Sequence, residues 1–395
     1  MDSNNTKIIY ITNVRLPTTK AHGLQIMKSC EAFVLAGASV KLITPCLRPI
    51  PPEDPFSYYG VSKNFTIQKT PILELVPYEK WLGPLAGYIQ NLSFSIVAIF
   101  LGIIRRWFSN ATIIYTRDYM TAFCLTLFGY KPVIELHDYR SKNYRWRINY
   151  ILRNARAIIV NSDGTLSALK SHYKIDDSKV LVAPNGVDIS FFNIPQSKDE
   201  SREILGLPSG KNIIGYIGSL ETVGIEKGIH TLINAFANLL DKYNDIILLI
   251  VGGPNDLVEE YKKEAASVGV SNDKIIFLGH VSYKKIPVLL RAIDIAVIPL
   301  PNNQFGQTTS PIKLFEYMAA GKTIVASDLP SLREYLNTNN AIMFNPSGSN
   351  DLSEKIQHIL ENKDFAESLA NNARVDALSH DWESRAKKIL SYINV

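Results

Sequence analysis

Two segments in the second half of the chain carry residue types that could bind a phosphorylated ligand. In the first, Gly218 and Ser219 end an apolar, strand-like run, and Lys227 with Gly228 opens a stretch of helical spacing. A loop of small residues leaves backbone N–H groups open, and a helix start adds a positive end, so the pattern favours phosphate binding beside the lysine. An ordinary helix start would show the same residues, and this alternative stays open for the segment taken alone.

The second segment runs from Thr308 to Lys322 and contains one acidic residue, Glu316. Pro311 stands near the predicted helix start, where its missing N–H costs nothing, and Gly321 ends the helix. A carboxylate on such a helix can accept hydrogen bonds from both hydroxyls of a ribose. For an isolated glutamate the default interpretation is an exposed residue on the helix surface.

Several common chemistries are absent from the sequence. The turn after the first strand-like run, Asn13–Pro17, has no G-x-G-x-x-G pattern, no Walker A sequence occurs, and the Gly252–Pro254 turn is a weak signal alone. The three cysteines, Cys30, Cys46 and Cys124, form no C-x-x-C pair. The sequence therefore favours neither NAD-dependent nor P-loop chemistry, predicts no zinc site or disulfide framework, and leads us to expect no metal or other cofactor.

The elements that must position these residues form two series of short apolar strands. They are Ile8–Thr12, Val40–Thr44, Thr112–Tyr115, Val133–Leu136, Ile158–Val160 and Val180–Val182, then Ile213–Ile217, Ile246–Val251, Ile275–Leu278, Ile295–Ile298 and Thr323–Ala326. β-Branched residues dominate them and helical stretches such as Ala21–Ala36 separate them, which predicts doubly wound α/β sheets. Turn residues between Pro184 and Gly210 predict a hinge between two Rossmann-like domains, with ligands bound in the cleft between them.

Composition and charge narrow the class of protein. The 395 residues are 46% hydrophobic and 20% charged, an ordinary globular balance that excludes a fibre or a disordered tail. Residues 1–185 carry 22 Lys/Arg and 12 Asp/Glu, a net charge of +10, whereas residues 186–395 carry 20 and 25, a net charge of −5. The basic half favours an anionic partner such as a membrane lipid, a phosphorylated substrate or nucleic acid, unless these are simply scattered solvated side chains.

Two further features bear on the surroundings of the first half. The run Asn91–Ile104 is strongly apolar but, at 14 residues, too short to span a bilayer, so it is predicted to be a buried helix or one lying on a membrane surface. Six basic residues between Asp138 and Asp163, interleaved with aromatic ones, suit a lipid-facing or phosphate-facing patch better than nucleic acid. Because no secretion signal is visible, we expect a cytoplasmic protein, either free or peripheral on the inner face of the cell membrane.

Taken together, these residues resemble the retaining glycosyltransferases of family 4, which have the GT-B fold. The markers are Pro184–Asp188, Gly218 with Lys227 and Gly228, Phe277–His280, the string Ser310–Gly321 (SPIKLFEYMAAG) and Asp381–Glu383. The resemblance implies an acceptor-binding domain (1–185), a donor-binding domain (186–378) and a C-terminal helix (379–395) that packs back on the first domain. It also implies transfer from a nucleoside-diphosphate sugar, with UDP or GDP, to an acceptor hydroxyl, with retention of configuration and without a metal.

The resemblance assigns roles to individual residues of the second domain. Lys227 would contact the donor diphosphate, Glu316 would hold the ribose, and the backbone N–H groups of Ile312 and Lys313 would meet the donor sugar or distal phosphate. The rest of the donor site would comprise Gly218, Ser219, Gly252, His280, Val281, Ser310 and Pro311, with His280 and Val281 bordering the nucleobase.

In the first domain, Glu135-Leu136-His137 matches the E-x-H pattern of the family. His137 would face the donor sugar and act in catalysis with Lys227 and Glu316. On the acceptor side the resemblance places Arg15, His22, Gly23 and Asp138. Glu135 and Asp138 are weak candidates for a general base, since the leaving phosphate could itself take the acceptor proton.

Two positions depart from the family pattern. Eight residues before Glu316, where the family commonly has a second glutamate, this chain has Thr308, and after the glycine of the first loop, where an arginine is common, it has Ser219. Lys313 is the candidate that could replace the arginine. The basic first domain and the apolar run favour a glycan or lipid-linked acceptor, as in the assembly of cell-surface polysaccharide or glycolipid. The alternatives are a non-catalytic nucleotide-sugar-binding subunit and another GT-B enzyme, a phosphorylase or an epimerase.

Overall fold

The computed structural model describes residues 6–48, 53–109, 111–137, 145–222 and 224–394. The chain forms two compact units, one of Met1–Pro184 with Trp382–Val395 and the other of Asn185–Asp381. Each unit contains a parallel β-sheet flanked by helices.

Within the described residues, the sheet of the first unit has seven strands in the order β3-β2-β1-β4-β5-β6-β7. The strands are β1 (Lys7–Ile11), β2 (Ser39–Pro45), β3 (Thr66–Thr70), β4 (Thr112–Thr116), β5 (Val133–Leu136), β6 (Ala157–Val160) and β7 (Val180–Val182). The helices between them are α1 (Ala21–Leu35), α2 (Pro55–Tyr59), α3 (Glu79–Leu82), α4 (Leu85–Ile104), α5 (Tyr119–Leu127), α6 (Arg145–Asn154) and α7 (Asp163–Lys170).

The second unit repeats this plan. Its helices in the described residues are α8 (Ile189–Phe192), α9 (Lys198–Leu205), α10 (Ile229–Leu240), α11 (Asn255–Ser267), α12 (Ile286–Ala292), α13 (Gln304–Thr308), α14 (Ile312–Ala319), α15 (Pro330–Arg333), α16 (Ser349–Glu361) and α17 (Lys363–Ala377). The strands are β8 (Asn212–Ile217), the short pair β9 (Glu221–Thr222) and β10 (Ile225–Glu226), β11 (Ile246–Val251), β12 (Ile275–Gly279), β13 (Ile295–Ile298), β14 (Thr323–Ser327) and β15 (Ile342–Phe344). Six of them form a parallel sheet in the order β12-β11-β8-β13-β14-β15.

The strand orders determine where ligands can bind in each unit. The direction of strand succession reverses between β1 and β4 in the first sheet and between β8 and β13 in the second. In open parallel sheets, ligands bind at this switch point, beyond the carboxyl ends of the strands. The loops that follow these strands therefore carry the candidate sites.

The prediction of two Rossmann-like sheets is confirmed, and every predicted strand is present to within a residue or two. The sequence did not reveal β3 or β15. The region 185–211, predicted as a segment of turns, belongs to the second unit and contains α8 and α9. Its polar run is helical because Ser197 and Glu200 form a capping box at the start of α9.

The last helix, α18 (Trp382–Ile393), belongs to the first unit and packs against α1. Its buried face includes Trp382, Ile389 and Ile393. The chain therefore builds the first unit from both of its ends.

The apolar run at 91–104 is part of a longer element than its composition indicates. Helix α4 has 20 residues, so the argument that the run is too short to span a bilayer is wrong. Among the described residues it is the one helix whose length and composition would suffice to cross a membrane. Of its most apolar 18-residue stretch, 33% is buried. Phe94 and Ile99 lie in the core, whereas Leu85 and Ile104 are exposed.

Candidate functional site

Lys227 lies directly before the N-terminus of α10, where Gly228 takes a left-handed conformation (φ +82°). A Cβ atom at Gly228 would lie 1.5 Å from the carbonyl oxygen of Pro299, so this close approach requires glycine. The Lys227 side chain is buried, and its Nζ lies 3.3 Å from the ring centroid of Phe305. Nζ has no hydrogen-bond partner among the described residues. Burial lowers the pKa of Lys227 to about 7, and nearby Glu226 and Glu221 oppose the shift.

A second lysine, Lys313, lies in the first turn of α14. Its Nζ donates a hydrogen bond to the Tyr216 hydroxyl and lies 3.8 Å from the centroid of that ring. It also lies against Gly218, where an added Cβ would come within 2.6 Å of the ammonium nitrogen. Burial, and then repulsion from Lys227, holds the pKa of Lys313 well below its ordinary value. Two lysine side chains, one buried and one half-buried, thus lie near each other beyond the end of β8.

Glu316 lies one turn further along α14 and is 8% exposed. The Tyr283 hydroxyl donates a hydrogen bond to its carboxylate. Burial raises the pKa of Glu316 to about 7, although Tyr283 and Lys313 act to lower it. The Tyr283 ring stacks on Phe191 at a centroid distance of 5.0 Å, which fixes its position. Glu316 is therefore not the exposed helix residue of the default interpretation.

The N-terminus of α14 offers backbone donors at the same place. Pro311 is its N-cap, no side chain among the described residues caps it, and Leu314 N–H bonds to the Pro311 carbonyl. The N–H groups of Ile312 and Lys313 begin the helix, where intrahelical acceptors are missing. They point to a location that favours negative charge.

Two further buried polar atoms near this N-terminus lack partners within the described residues. The Asn185 side-chain amide donates to the Ser310 carbonyl at 2.7 Å, but its oxygen accepts no bond. The Ser310 hydroxyl is likewise unsatisfied, and the residue is 3% exposed. Unpaired buried polar atoms are costly and rare, so their grouping here indicates a place for a polar ligand.

At the start of α10, one of the backbone donors expected from the sequence is already bonded. The Glu226 carboxylate accepts a hydrogen bond from Ile229 N–H, and the Tyr261 hydroxyl also donates to it. The Ile229 N–H is therefore already paired with a carboxylate and is not available to a phosphate.

The remaining predicted donor residues lie in loops at the carboxyl ends of the same strands. Gly252 follows β11, and a Cβ there would come within 1.9 Å of the Gly218 carbonyl oxygen. The exposed His280 and half-buried Val281 follow β12. The two departures from the family pattern are Ser219, whose hydroxyl donates to the Glu221 carbonyl, and Thr308, whose hydroxyl donates to the Gln304 carbonyl.

The first unit holds a separate polar cluster at the end of β5. Glu135 is fully buried, and its Oε1 accepts hydrogen bonds at 2.6 Å from Gln25, His137 and Arg385. Oε2 accepts a bond from the Tyr115 hydroxyl. Burial acts to raise the pKa of Glu135, but Arg385 and then His137 hold it well below its ordinary value. A buried carboxylate with four donors has no place for an acceptor proton, so the suggestion of Glu135 as general base is wrong.

His137 follows β5 directly and is more exposed than Glu135, with 15% of its side chain accessible. Burial, and then Arg117, lowers the pKa of His137 to about 4, while Glu135 opposes the shift. The imidazole is therefore neutral at pH 7. Because the carboxylate can only accept, the Nε2 that contacts it carries the ring proton, which leaves Nδ1 as an acceptor.

The acceptor-side residues predicted from the sequence surround the loop after β1. Arg15 is exposed, and His22 lies in the first turn of α1, where burial, Arg117 and Lys20 lower its pKa to about 4. Gly23 is buried, and a Cβ there would come within 2.2 Å of the hydroxyl of Tyr59, which also binds the Thr18 backbone.

Asp138 lies outside the described residues. Within the described ranges, no group of three or more His, Cys, Asp or Glu side chains could hold a metal ion.

Sequence reasoning missed the aromatic residues that surround the two lysines and Glu316. Phe305 lies under Lys227, Tyr216 under Lys313, and Tyr283 binds Glu316. Each comes from an element distant in sequence from its partner and belongs to no motif. Of the three, only Tyr216 could have been suspected from the sequence, because it lies two residues before Gly218 of the predicted phosphate-binding segment.

Two family models match the chain. Residues 197–376 match glycosyl transferases group 1, and residues 26–191 match glycosyltransferase family 4. A D-inositol 3-phosphate glycosyltransferase of Corynebacterium urealyticum is 26% identical over 249 residues, which make up 61% of this chain and 57% of that protein. The match thus spans less than two thirds of the length of this curated relative.

Solved structures give the same fold. Sucrose-phosphate synthase of Thermosynechococcus elongatus has a TM-score of 0.78 at 18% identity, with 98% of both chains covered. Anabaena HepE in complex with UDP-glucose has a TM-score of 0.74 at 19% identity, covering 98% of this chain and 99% of that one. At these identities the likeness shows the fold, GT-B. The two matched segments largely coincide with the two units: the first unit contains a segment that matches glycosyltransferase family 4, and the second contains one that matches glycosyl transferases group 1.

Proposed function

We propose that the protein transfers a sugar from a nucleoside-diphosphate sugar to an acceptor hydroxyl, and that the second unit binds the donor. The observation that carries this proposal is the Lys227 side-chain nitrogen, which is buried without a hydrogen-bond partner among the described residues and lies near a second, half-buried lysine, Lys313. An anion of more than one charge stabilises the protonated form of both lysines, and a diphosphate is such an anion. The UDP-glucose complex of HepE, which has the same fold, supports the choice of ligand class.

In this proposal each group of the site binds one part of the donor. Lys227 and Lys313 neutralise the diphosphate, and Lys313 replaces the arginine that the family has where Ser219 stands. Glu316 accepts hydrogen bonds from the ribose hydroxyls, and the Ile312 and Lys313 N–H groups meet the distal phosphate or the sugar. His280 and Val281 border the base. Gly218 leaves room for the Lys313 side chain, and Gly252 lets its loop approach the Gly218 carbonyl.

The transfer step depends on stabilising the leaving diphosphate. Fixed cations and backbone donors in a buried site provide this without reorganisation, and loss of one donor typically costs roughly 2.7–4 kcal/mol of barrier. Lysines and helix-terminal N–H groups can stabilise the negative charge of the leaving diphosphate. We therefore propose a metal-independent reaction with retention of configuration. We also propose that His137 acts in catalysis.

Binding measurements with paired ligands separate the two roles in the donor site. Glu316→Gln is expected to weaken UDP or GDP binding by roughly 10- to 100-fold, the effect of losing hydrogen bonds to a charged group, and to leave inorganic pyrophosphate binding unchanged. Lys227→Met is expected to weaken the binding of both the nucleotide and pyrophosphate. Glu260→Gln, an exposed change on α11, is the control. Equal weakening of pyrophosphate in Glu316→Gln would refute the ribose role.

Turnover distinguishes the enzyme from a non-catalytic binding subunit. The wild-type protein is expected to release the nucleoside diphosphate from a sugar nucleotide that it binds, and His137→Ala is expected to bind the donor but to turn it over at least tenfold more slowly. A protein that binds sugar nucleotides tightly and releases no diphosphate with any glycan or lipid-linked acceptor would favour the binding subunit.

We also propose that the acceptor is presented at an anionic membrane surface, as in polysaccharide or glycolipid assembly, and that the protein is cytoplasmic and peripheral there. Exposed apolar side chains support this: Val76, Tyr78, Trp81 and Leu82 precede α4, and Leu85 and Ile104 lie at its ends. Trp81 is 89% exposed. Buried core helices share the length and composition of α4, so the proposal rests on these exposed residues and on the basic first half.

Vesicle co-sedimentation tests the membrane proposal. The protein is expected to bind anionic vesicles at low salt, and Trp81→Glu is expected to reduce the bound fraction several-fold because it places a charge where an apolar ring would insert. Lys262→Glu, a charge change on α11 of the second unit, is the control. No binding of the wild-type protein at low salt would refute the proposal.

A further inference from the structure

One side chain of the C-terminal helix α18, Arg385, reaches the polar cluster around Glu135 and His137. It lies 250 residues from Glu135 in sequence, and its Nη2 donates to Glu135 Oε1 at 2.6 Å. Its Nε donates to the Pro184 carbonyl at 2.6 Å, and Nη2 also reaches the Ala183 carbonyl at 3.4 Å. One guanidinium thus joins the buried carboxylate to the last residues of the first unit before the chain enters the second.

We propose that Arg385 is a positioning residue for His137. It fixes the Glu135 carboxylate so that the imidazole is presented in one orientation and one tautomer. The inference rests on the proposed function only in so far as His137 takes part in sugar transfer, because the positioning itself can be measured without a donor.

The geometry supports this role because His137 and Arg385 share one carboxylate oxygen. Oε1 of Glu135 receives both the imidazole Nε2 and the guanidinium, so any movement of the carboxylate moves the ring. Gln25 donates to the same oxygen and Tyr115 to the other, but both are neutral. Arg385 is the cation that directly balances the buried charge of Glu135.

The pairing also fixes the proton on the imidazole. An ionised Glu135 only accepts, so Nε2 keeps the proton and Nδ1 presents its lone pair. A fixed partner on one ring nitrogen is the usual way to set the role of the other. Among the described residues, the charged and titratable groups around the imidazole are Glu135, Arg385, Arg117 and His22.

Loss of Arg385 is expected to release this arrangement. Without the guanidinium, the imidazole becomes the nearest group able to balance Glu135, and the ring no longer faces the charge of Arg385. The pKa of His137 is therefore expected to rise from about 4, and the ring, whose carboxylate partner is no longer held in place, is expected to lose its single tautomer.

NMR on histidine-labelled protein measures both quantities, with His137→Gln to assign the signal. In Arg385→Gln, His137 is expected to show a raised pKa and mixed tautomers. Arg385→Lys keeps the charge but loses the planar set of guanidinium donors, and it is expected to give an intermediate response. Lys388→Gln is the matched control, because it removes a hydrogen bond from the same helix to the Val182 carbonyl and does not touch Glu135. It is expected to leave His137 as in the wild type.

The result that would overturn the inference is a folded Arg385→Gln or Arg385→Lys protein whose His137 keeps the wild-type pKa and tautomer. Should Arg385→Gln fail to fold, Arg385→Lys alone decides. Once a donor is known, kcat is expected to fall roughly 10- to 100-fold in Arg385→Gln with little change in the donor KM. Absence of turnover in the wild type, with the NMR result as expected, would refute the proposed function and leave the positioning role intact.

Discussion

At the scale of the residue, the donor site holds charges that the fold alone does not need. Lys227 is buried without a hydrogen-bond partner among the described residues, Lys313 is half-buried near it, and Glu316 has its pKa raised to about 7. Groups of this kind cost stability and cluster at functional sites. The unliganded second unit is therefore less stable than it would be with neutral side chains at these positions.

The stability cost of Lys227 has a defined pH dependence. Its folded pKa of about 7 lies below its ordinary value of 10.5, so the unfolded chain binds more protons between these values and stability rises with pH across that window. We expect Lys227→Met to melt at least about 2–4 °C above the wild type at pH 7, and this gap to shrink towards pH 10. Removal of Lys227 also removes its repulsion of Lys313, which likewise favours the variant at pH 7.

Thermal unfolding of both proteins without ligand, from pH 6.5 to 10 at about half-unit steps, measures this gap. Lys262→Met, an exposed change on α11, is the control and should follow the wild type. A gap that stays constant or widens with pH would contradict a buried lysine with a lowered pKa.

At the scale of the element, glycines set the position of the charged residues. Gly228 and Gly224 both have positive φ, but only at Gly228 would a Cβ meet the backbone, at the Pro299 carbonyl. Gly224→Ala is expected to cost about 1 kcal/mol, the price of the left-handed conformation alone. Gly228→Ala is expected to cost about 3 kcal/mol or more, because the start of α10 and Lys227 must shift.

Urea unfolding gives the two stability losses, and pyrophosphate titration shows whether Lys227 has moved. Pyrophosphate binding should weaken in Gly228→Ala and stay unchanged in Gly224→Ala. Equal stability losses, or intact binding in Gly228→Ala, would show that the approach to Pro299 does not position the lysine.

The elements also show which parts of the fold a sequence can predict. Buried strands such as β5 and β11 are continuous apolar runs, and they were found with their bounds. The edge strand β3 reads Thr-Ile-Gln-Lys-Thr and is mostly polar, because one side of it pairs with no neighbour, so composition gives no signal. The run at 91–104 was predicted too short because α4 begins in a less apolar turn at Leu85.

The candidate site divides in the same way. Lys227, Lys313 and Glu316 were predicted because they fall within short motifs of a known family. Tyr283, Phe305 and Arg385 were missed because only tertiary packing brings them to their partners. The capping of α10 by Glu226 was also missed, since a glutamate before a glycine gives no indication of where its side chain turns.

At the scale of the whole molecule, the C-terminal helix α18 completes the first unit by packing against α1. Helix α18 contributes buried Trp382, Ile389 and Ile393, each worth roughly 1.5–3 kcal/mol on burial, and it also carries Arg385. Together these are comparable with the smaller end of the stability range of a domain, about 5–15 kcal/mol. The donor residues Lys227, Lys313 and Glu316 all lie in the second unit.

A stop after Asp381 therefore tests how independent the two units are. Calorimetry should show the unfolding transition of the first unit lowered or lost, because α1 loses its packing partner. UDP or GDP binding should persist, since the second unit retains its donor residues. A truncated protein with wild-type unfolding would contradict the structural role of α18, and loss of nucleotide binding would contradict a donor site built from the second unit.

The most direct test of the central claim is thermal unfolding of the wild type and Glu316→Gln with a panel of nucleoside diphosphates and their sugars. A ligand at 100 times its Kd should add about 2.7 kcal/mol of stability, a shift of several degrees. We predict that one base family stabilises the wild type strongly and Glu316→Gln much less. No shift with any nucleotide at millimolar concentration, or equal shifts in both proteins, would contradict a nucleoside-diphosphate site at Lys227, Lys313 and Glu316.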